Sequence, residues 1–322
     1  MGYDFVVGEP QPIEGMWYEC YDGDVLRLLT EYPPKNEFLK SAFEYVRRIS
    51  VHLTGVSEER ILMTYSRKHG NGGYGRWWAD APLNLQTCPK ILRPLVCGKL
   101  YHDVDIANCH PRILLGVAKR LDVSAPALER YTFSKKNRER ILLSIMEHYG
   151  CTRCLAKQLI LMMLNTGKPK GWKEEFGLNT NSADHDFILE LLGEVRTLQE
   201  MMLRAYPHGI EVLREYNKHA IEKKRDSSAF SWALQELENK MVMALKNHFV
   251  LKGWRVDVLV FDGVMVRRQE DRTMAQADLD DAECAVNTAM AEDGITIELE
   301  EKPMTIDPVA QAWLDDARRG GT

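Results

Sequence analysis

Arg255-Val256-Asp257-Val258-Leu259-Val260-Phe261, Asp262-Gly263 and Val264-Met265-Val266-Arg267-Arg268 form the stretch on which the fold turns. Two runs rich in β-branched residues flank an Asp-Gly pair, a combination that two-residue hairpin turns favour because their central positions take positive φ. The spacing predicts a β-hairpin with Asp262 at its tip. Upstream, Ser227 or Ser228 is placed to cap a long helix running to about His248. Residues 134–224 read as mostly helical, with breaks at Asn165–Gly171 and Tyr206–Gly209. Leu100–Ile106 reads as a strand, followed by a helix from Pro111, where proline suits a first turn. Asn36–Leu53 has the apolar spacing of a helix, Lys68-His69-Gly70-Asn71-Gly72-Gly73 that of a flexible turn, and residues 1–34 that of an irregular arm. A sheet core carrying a long helical insertion is an α+β fold.

The composition, 322 residues with 45% hydrophobic and 28% charged, argues against disordered, collagen-like and coiled-coil classes. No apolar run approaches about eighteen residues, and MGYDFVVGEP lacks a signal-peptide pattern, so a cytoplasmic protein without a membrane partner is expected. Seven scattered cysteines read as reduced thiols. A weaker reading joins Cys151 and Cys154 with Cys88, Cys97 or His102 as a zinc site, although no second Cys pair accompanies them. The net charge of −5 averages unlike parts. Gln269–Glu301 holds eleven acidic residues against Arg272 alone, leaving +5 for the rest of the chain. That acidic segment is expected to continue the sheet on its outer, solvent-facing side, and the global charge does not exclude a polyanionic partner.

In Tyr101-His102-Asp103-Val104-Asp105-Ile106 the strand period puts Asp103 and Asp105 on one face. Carboxylates from two strands, brought side by side, suit Mg²⁺ as hard oxygen ligands that leave room for water and phosphates. Taken singly, an Asp-Gly turn is ordinary hairpin chemistry and an Asp-x-Asp strand an ordinary solvated face. The surroundings carry more. Asp105-Ile106-Ala107-Asn108-Cys109-His110-Pro111-Arg112 resembles motif A of the family-A DNA polymerases, where the catalytic Asp is followed by a sugar-discriminating residue five positions on and an Arg seven on. Gly75-Arg76, Pro82, Leu85-Gln86, Pro89 and Arg93 resemble the series that precedes motif A and grips primer–template. The Gly-Arg-aromatic step is also similar to one in single-subunit phage RNA polymerases. Arg153-x3-Lys157 has the spacing of motif B, and Leu259-Val260-Phe261-Asp262-Gly263 looks like motif C, with Gln235 in the place of the primer-contacting Gln before it.

The resemblance implies a right-hand polymerase with an antiparallel-sheet palm, inserted helical fingers and a reduced thumb. Its parts would be an N-terminal arm and thumb-like region (1–65), a first palm part (66–130), fingers (131–226) and a second palm part (227–322). It implies two Mg²⁺ ions, with Mn²⁺ as a substitute, held by Asp105, Asp262 and the Ile106 carbonyl. Arg153 and Lys157 would meet the triphosphate, Lys157 also as proton donor. His110, Arg112 and Asn165 would line the nucleotide, and Arg76, Gln86, Arg93 and Gln235 the primer–template. The partners implied are DNA primer–template, dNTPs or rNTPs, and a separate helicase, since no Gly-x4-Gly-Lys-Ser/Thr loop is present. The setting implied is phage or mobile-element replication in a bacterial cell.

Three departures matter. His110 replaces Glu or a small residue, leaving the sugar open. Asn165 replaces Tyr, with the following Gly displaced to Gly167. Phe261-Asp262-Gly263 replaces His-Asp-Glu or His-Asp-Ser, leaving Asp262 as the metal ligand there. This combination most resembles the transposon–virus polymerases. The 74 residues before the Gly-Arg step are expected to hold no proofreading exonuclease, and low processivity is expected. Two alternatives stay open: an RNA primase or RNA polymerase with the same site, and a non-catalytic nucleic-acid-binding replication protein.

Overall fold

The computed structural model describes residues 17–67, 75–205, 207–216 and 222–320. The flexible turn read at Lys68–Gly73 and the start of the N-terminal arm lie outside the described residues. The strands are β1 (Trp17–Asp22), β2 (Glu58–Met63), β3 (Tyr65–Ser66), β4 (Trp78–Ala79), β5 (Tyr101–Ile106), β6 (Val256–Val260), β7 (Gly263–Arg267) and β8 (Leu299–Lys302). Before β5 lie helices α1 (Gly23–Glu31), α2 (Lys40–Ile49) and α3 (Arg93–Cys97). Between β5 and β6 run α4 (Cys109–Arg120), α5 (Pro126–Thr132), α6 (Lys135–Tyr149), α7 (Arg153–Leu164), α8 (Pro169–Glu175), α9 (Asp186–Ala205), α10 (Pro207–Tyr216) and α11 (Glu222–Leu251). The chain closes through α12 (Gln276–Ala289) and α13 (Pro308–Gly320).

A four-stranded antiparallel sheet, in the order β6-β7-β5-β8, organises the molecule. Its pleat sorts side chains onto two faces. Val104, Ile106, Leu259, Val264 and Val266 enter the larger core with Met241, Leu245 and Phe249 of α11 and Ala282 and Val286 of α12. On the opposite face Tyr101, Val258 and Met265 join a second core with Leu26, Leu29, Val46, Leu92 and Trp313. Further along β5, that second face carries Asp103 and Asp105 instead of apolar residues. One half of the face is packed shut, and the other half presents carboxylates.

Several expectations need correction. Part of the expected irregular arm is regular: β1 pairs antiparallel with β2, and Asp22 caps α1 by accepting from Val25 N at 3.0 Å. The apolar alternation that would have marked β1 is hidden by Glu19, which is fully buried. Ser227 and Ser228 lie inside α11, which starts at Glu222, so neither is its cap. The Asp-Gly pair is not the centre of the hairpin turn. Val260 pairs with Gly263, so Phe261 and Asp262 make the loop, and Phe261 takes the positive φ of 52°. The acidic segment does more than coat the outside: α12 packs on α11, and β8 pairs directly with β5.

Glu19 accepts from Leu85 N (2.6 Å), Tyr21 Oη (2.9 Å) and Tyr65 Oη (3.2 Å). Burial outweighs these bonds and pushes its carboxyl up from 4.5 to about 7. The folded state therefore keeps a proton that the unfolded chain has released. Its stabilisation is fully present below about pH 4.5 and is lost as pH rises to about 7, at about 1.4 kcal/mol per pH unit. Glu19→Gln should flatten this slope. Between pH 5 and 7.5 the wild-type melting temperature should fall by about 5 °C more than that of the variant. Parallel curves would refute it.

Candidate active site

Asp105 stands near the end of β5, where the chain turns through Asn108 in a left-handed conformation (φ 54°) into α4. Directly across the ladder is Gly263 of β7. A Cβ there would lie 2.5 Å from the Val104 carbonyl oxygen and 3.0 Å from Asp105 Oδ1. The glycine is thus needed for close approach, not for a turn with positive φ. It seats the hairpin tip against β5, where Ile106 N donates to the Asp262 carbonyl at 3.0 Å. Asp262 and Asp105 become neighbours although 156 residues of sequence lie between them.

The electrostatic consequence is strong. Burial, and then repulsion from Asp262, push the Asp105 carboxyl up to about 8, against the pull of Lys302. Lys302 of β8 forms an ion pair with Asp105 Oδ2. Asp103 is also raised by burial, with Lys302 and Arg93 opposing. Two hard carboxylates whose like charge a cation would relieve fit Mg²⁺ or Mn²⁺ in donor chemistry. Among the described residues no group of three or more His, Cys, Asp or Glu is arranged to hold a metal, so Asp105 and Asp262 are a pair and the zinc reading has no cluster behind it. Cys88 and Cys97 are buried, whereas Cys154 is exposed.

One cation of the helical insertion, Lys157, lies within electrostatic reach of Asp105. Thr152 caps α7, which places Arg153 and Lys157 one turn apart. Lys157 is surface-exposed as a residue, yet protein around its ammonium holds its pKa below the usual lysine range, with Lys302, Arg138 and Lys90 adding repulsion and Asp105 opposing it. Arg138 of α6, which sequence reading missed, donates to Asn108 Oδ1 at 2.8 Å. Arg153 is instead engaged by Glu139 through two bonds of 2.8 and 2.6 Å. Asn165 closes α7 by donating to the Leu161 carbonyl at 2.9 Å.

Glu238 of α11 is fully buried. It accepts from Arg76 Nε and an Arg76 terminal nitrogen at 2.7 and 3.0 Å, and pairs with His110 Nε2 at 2.8 Å. Burial pushes its carboxyl up, but the His110 and Arg76 bonds outweigh this and leave it below the usual range. Arg76 also lies over the Phe261 ring, 5.0 Å from its centroid, and its backbone N–H donates to Gln235 Oε1 at 3.3 Å. No sequence signal announced Glu238; it is a mid-helix carboxylate whose partners come from distant segments.

The remaining expected site residues have their own partners. Gln86 is buried and spent on backbone, donating to the Trp77 and Leu259 carbonyls (each 2.9 Å) and accepting from Ala79 N (3.2 Å). Arg93 donates to the Gln86 carbonyl at 3.2 Å. Arg112 donates to the Ala107 carbonyl at 3.1 Å and pairs with Glu298 at 2.6 Å. It lines a cavity of about 380 Å³ beside Lys119 and Phe133.

Among the described residues no helix is long and apolar enough to cross a membrane. No protein-family model matches the chain. Over 232 residues it is 25% identical to a Sputnik virophage protein named "Putative helicase V13"; the match covers 71% of this chain and 28% of that protein, so the chain spans under a third of the relative's length. Among solved structures, the POL domain of Pol1 from M. smegmatis, in complex with DNA primer-template and dNTP, aligns with 87% of this chain and 55% of that one, at 14% identity and a TM-score of 0.39.

Proposed function

We propose that the chain is a template-directed nucleotidyltransferase that extends a primer, with Asp105 and Asp262 as the carboxylates that hold its catalytic metal ions. The observation that carries this is their meeting at the ends of adjacent strands, with Lys157 of α7 within electrostatic reach of Asp105. In this reading the four-stranded sheet is the palm, the helical insertion over residues 131–226 the fingers, and the helices around β1 and β2 a short thumb. Bound Mg²⁺ would supply activation of the primer 3′-hydroxyl and neutralisation of phosphate charge. The protein's own part is to position and to move protons. Lys157, its pKa lowered, binds the triphosphate and is poised to release a proton to departing pyrophosphate. Arg138 adds a second cation on that side, while Arg153 reaches phosphate only by leaving Glu139. Arg76, Gln235 and Arg93 border the place where primer–template would lie. The relative named as a helicase supports a viral or mobile-element replication setting; a separate helicase acting beside this chain is part of the proposal.

The test is primer extension on DNA and RNA templates with dNTPs and rNTPs separately, for wild type and His110→Gly. DNA-templated extension with dNTPs is expected, and His110→Gly should raise rNTP use relative to dNTP use by about tenfold or more. Strict rNTP use by wild type would establish the RNA primase or RNA polymerase alternative. Absence of synthesis on every template would leave a nucleic-acid-binding protein.

A further inference from the structure

β8 closes the sheet beside β5 with Asp103 opposite Lys302 and Asp105 opposite Glu300. Directly opposed residues point to the same face, so the ladder delivers Lys302 to the carboxylate face. Its ammonium pairs with Oδ2 of Asp105, the carboxylate proposed above to hold a divalent cation. The lysine side chain is 43% exposed, and the carboxylate side chain 10%. A long, half-exposed stem on an edge strand can swing away; the buried carboxylate cannot follow it.

We infer that Lys302 is a resident counter-cation that competes with the divalent metal for Asp105, and so sets the metal affinity of the site. The inference rests on the reading of Asp105 and Asp262 as metal ligands. An ammonium on Oδ2 and a metal ion on the same oxygen exclude each other, and their like charges repel even when both are near. Without metal, Lys302 prevents the Asp105–Asp262 repulsion from forcing the strand ends apart. With metal, the displaced ammonium has Asp103 across the ladder as its next partner. Site affinity for hard cations is tuned by the local charge count, so the lysine weakens binding in exchange for a site that stays assembled when empty.

The experiment is equilibrium Mn²⁺ binding, read from the electron paramagnetic resonance signal of free Mn²⁺, without nucleotide or nucleic acid. Wild type, Lys302→Met, Lys302→Arg, Asp105→Asn and the Lys302→Met/Asp105→Asn double variant are compared. Lys302→Met should bind Mn²⁺ about tenfold more tightly than wild type, corresponding to about 1.4 kcal/mol. Lys302→Arg, which keeps the charge, should remain within about threefold of wild type. Asp105→Asn should remove the tight site in both backgrounds. Because tight binding requires an assembled site, Lys302→Met reports on its own folding. Asp105-dependent binding that is equal or weaker in Lys302→Met would overturn the role of Lys302 while leaving the metal reading intact. Lack of Asp105-dependent binding in any variant would overturn both.

Discussion

Asp105→Asn and Asp262→Asn are each expected to reduce primer extension by at least about 10³-fold, equivalent to about 4 kcal/mol of transition-state stabilisation. Neither change alters side-chain shape appreciably; each removes one negative charge where a metal would be bound. The stability result should run the other way for Asp105. Its carboxyl is raised from 3.8 to about 8 by burial and by Asp262. The contribution to folding is therefore fully present below about pH 4 and is lost as pH rises through about 8. Asn has no proton to lose. In chelator, Asp105→Asn should melt a few degrees above wild type at pH 8 and lose that advantage as pH falls toward 4. Added Mg²⁺ should raise the wild-type melting temperature and leave Asp105→Asn unmoved. Extension that survives either substitution would remove the proposed chemistry. A lower melting temperature for Asp105→Asn at pH 8 would show that the Lys302 pair stabilises more than the buried charge costs.

Local patterning made the hairpin, β5 and most helices legible, because each depends on a short window of apolar spacing or on one turn residue. Asn36–Leu53 resolves into α2 with a 3₁₀ turn at each end, and the break at Asn165–Gly171 separates α7 from α8. The expected pair Asp105 and Asp262 is adjacent because Gly263 tolerates the approach of β5. The rationale for that glycine was misread, since close packing and turn conformation leave the same letter in the sequence. β8 was missed for a different reason. Leu299-Glu300-Glu301-Lys302 has neither the apolar run nor the alternation of a buried strand, and it is a strand only because β5 offers an edge. Lys302 and Glu238 were illegible because their roles are set by partners far along the chain: Asp105 in one case, Arg76 and His110 in the other. Sequence spacing finds groups that share one element. It does not find a charge whose partner arrives by tertiary packing.

Glu238→Ala is expected to be the most damaging single change in the wall of the site, with a loss of about 3–5 kcal/mol of stability. Glu238 is fully buried between the Arg76 guanidinium and the His110 ring, and removing it leaves Arg76 without its carboxylate and His110 without its fixing bond. Arg76 would also lose the anchor that holds it over Phe261, the residue beside Asp262. Damage to stability should thus be accompanied by damage to the hairpin tip. Glu238→Gln separates the two effects, since it keeps the shape and one acceptor but not the charge. It should retain the fold at reduced stability and release His110, so that the ratio of rNTP to dNTP incorporation moves in the same direction as in His110→Gly. The acid limb carries a further mark. With its pKa held below 4.5 by His110 and Arg76 against the effect of burial, Glu238 gives stability that is present above about pH 4.5 and lost as pH falls through its folded value. Wild type should therefore lose stability faster than Glu238→Gln below pH 4.5. Denaturant midpoints across pH 3 to 7 measure this directly. A Glu238→Ala protein within about 1 kcal/mol of wild type would mean that the ion cluster is solvated in solution and that His110 is held by something else.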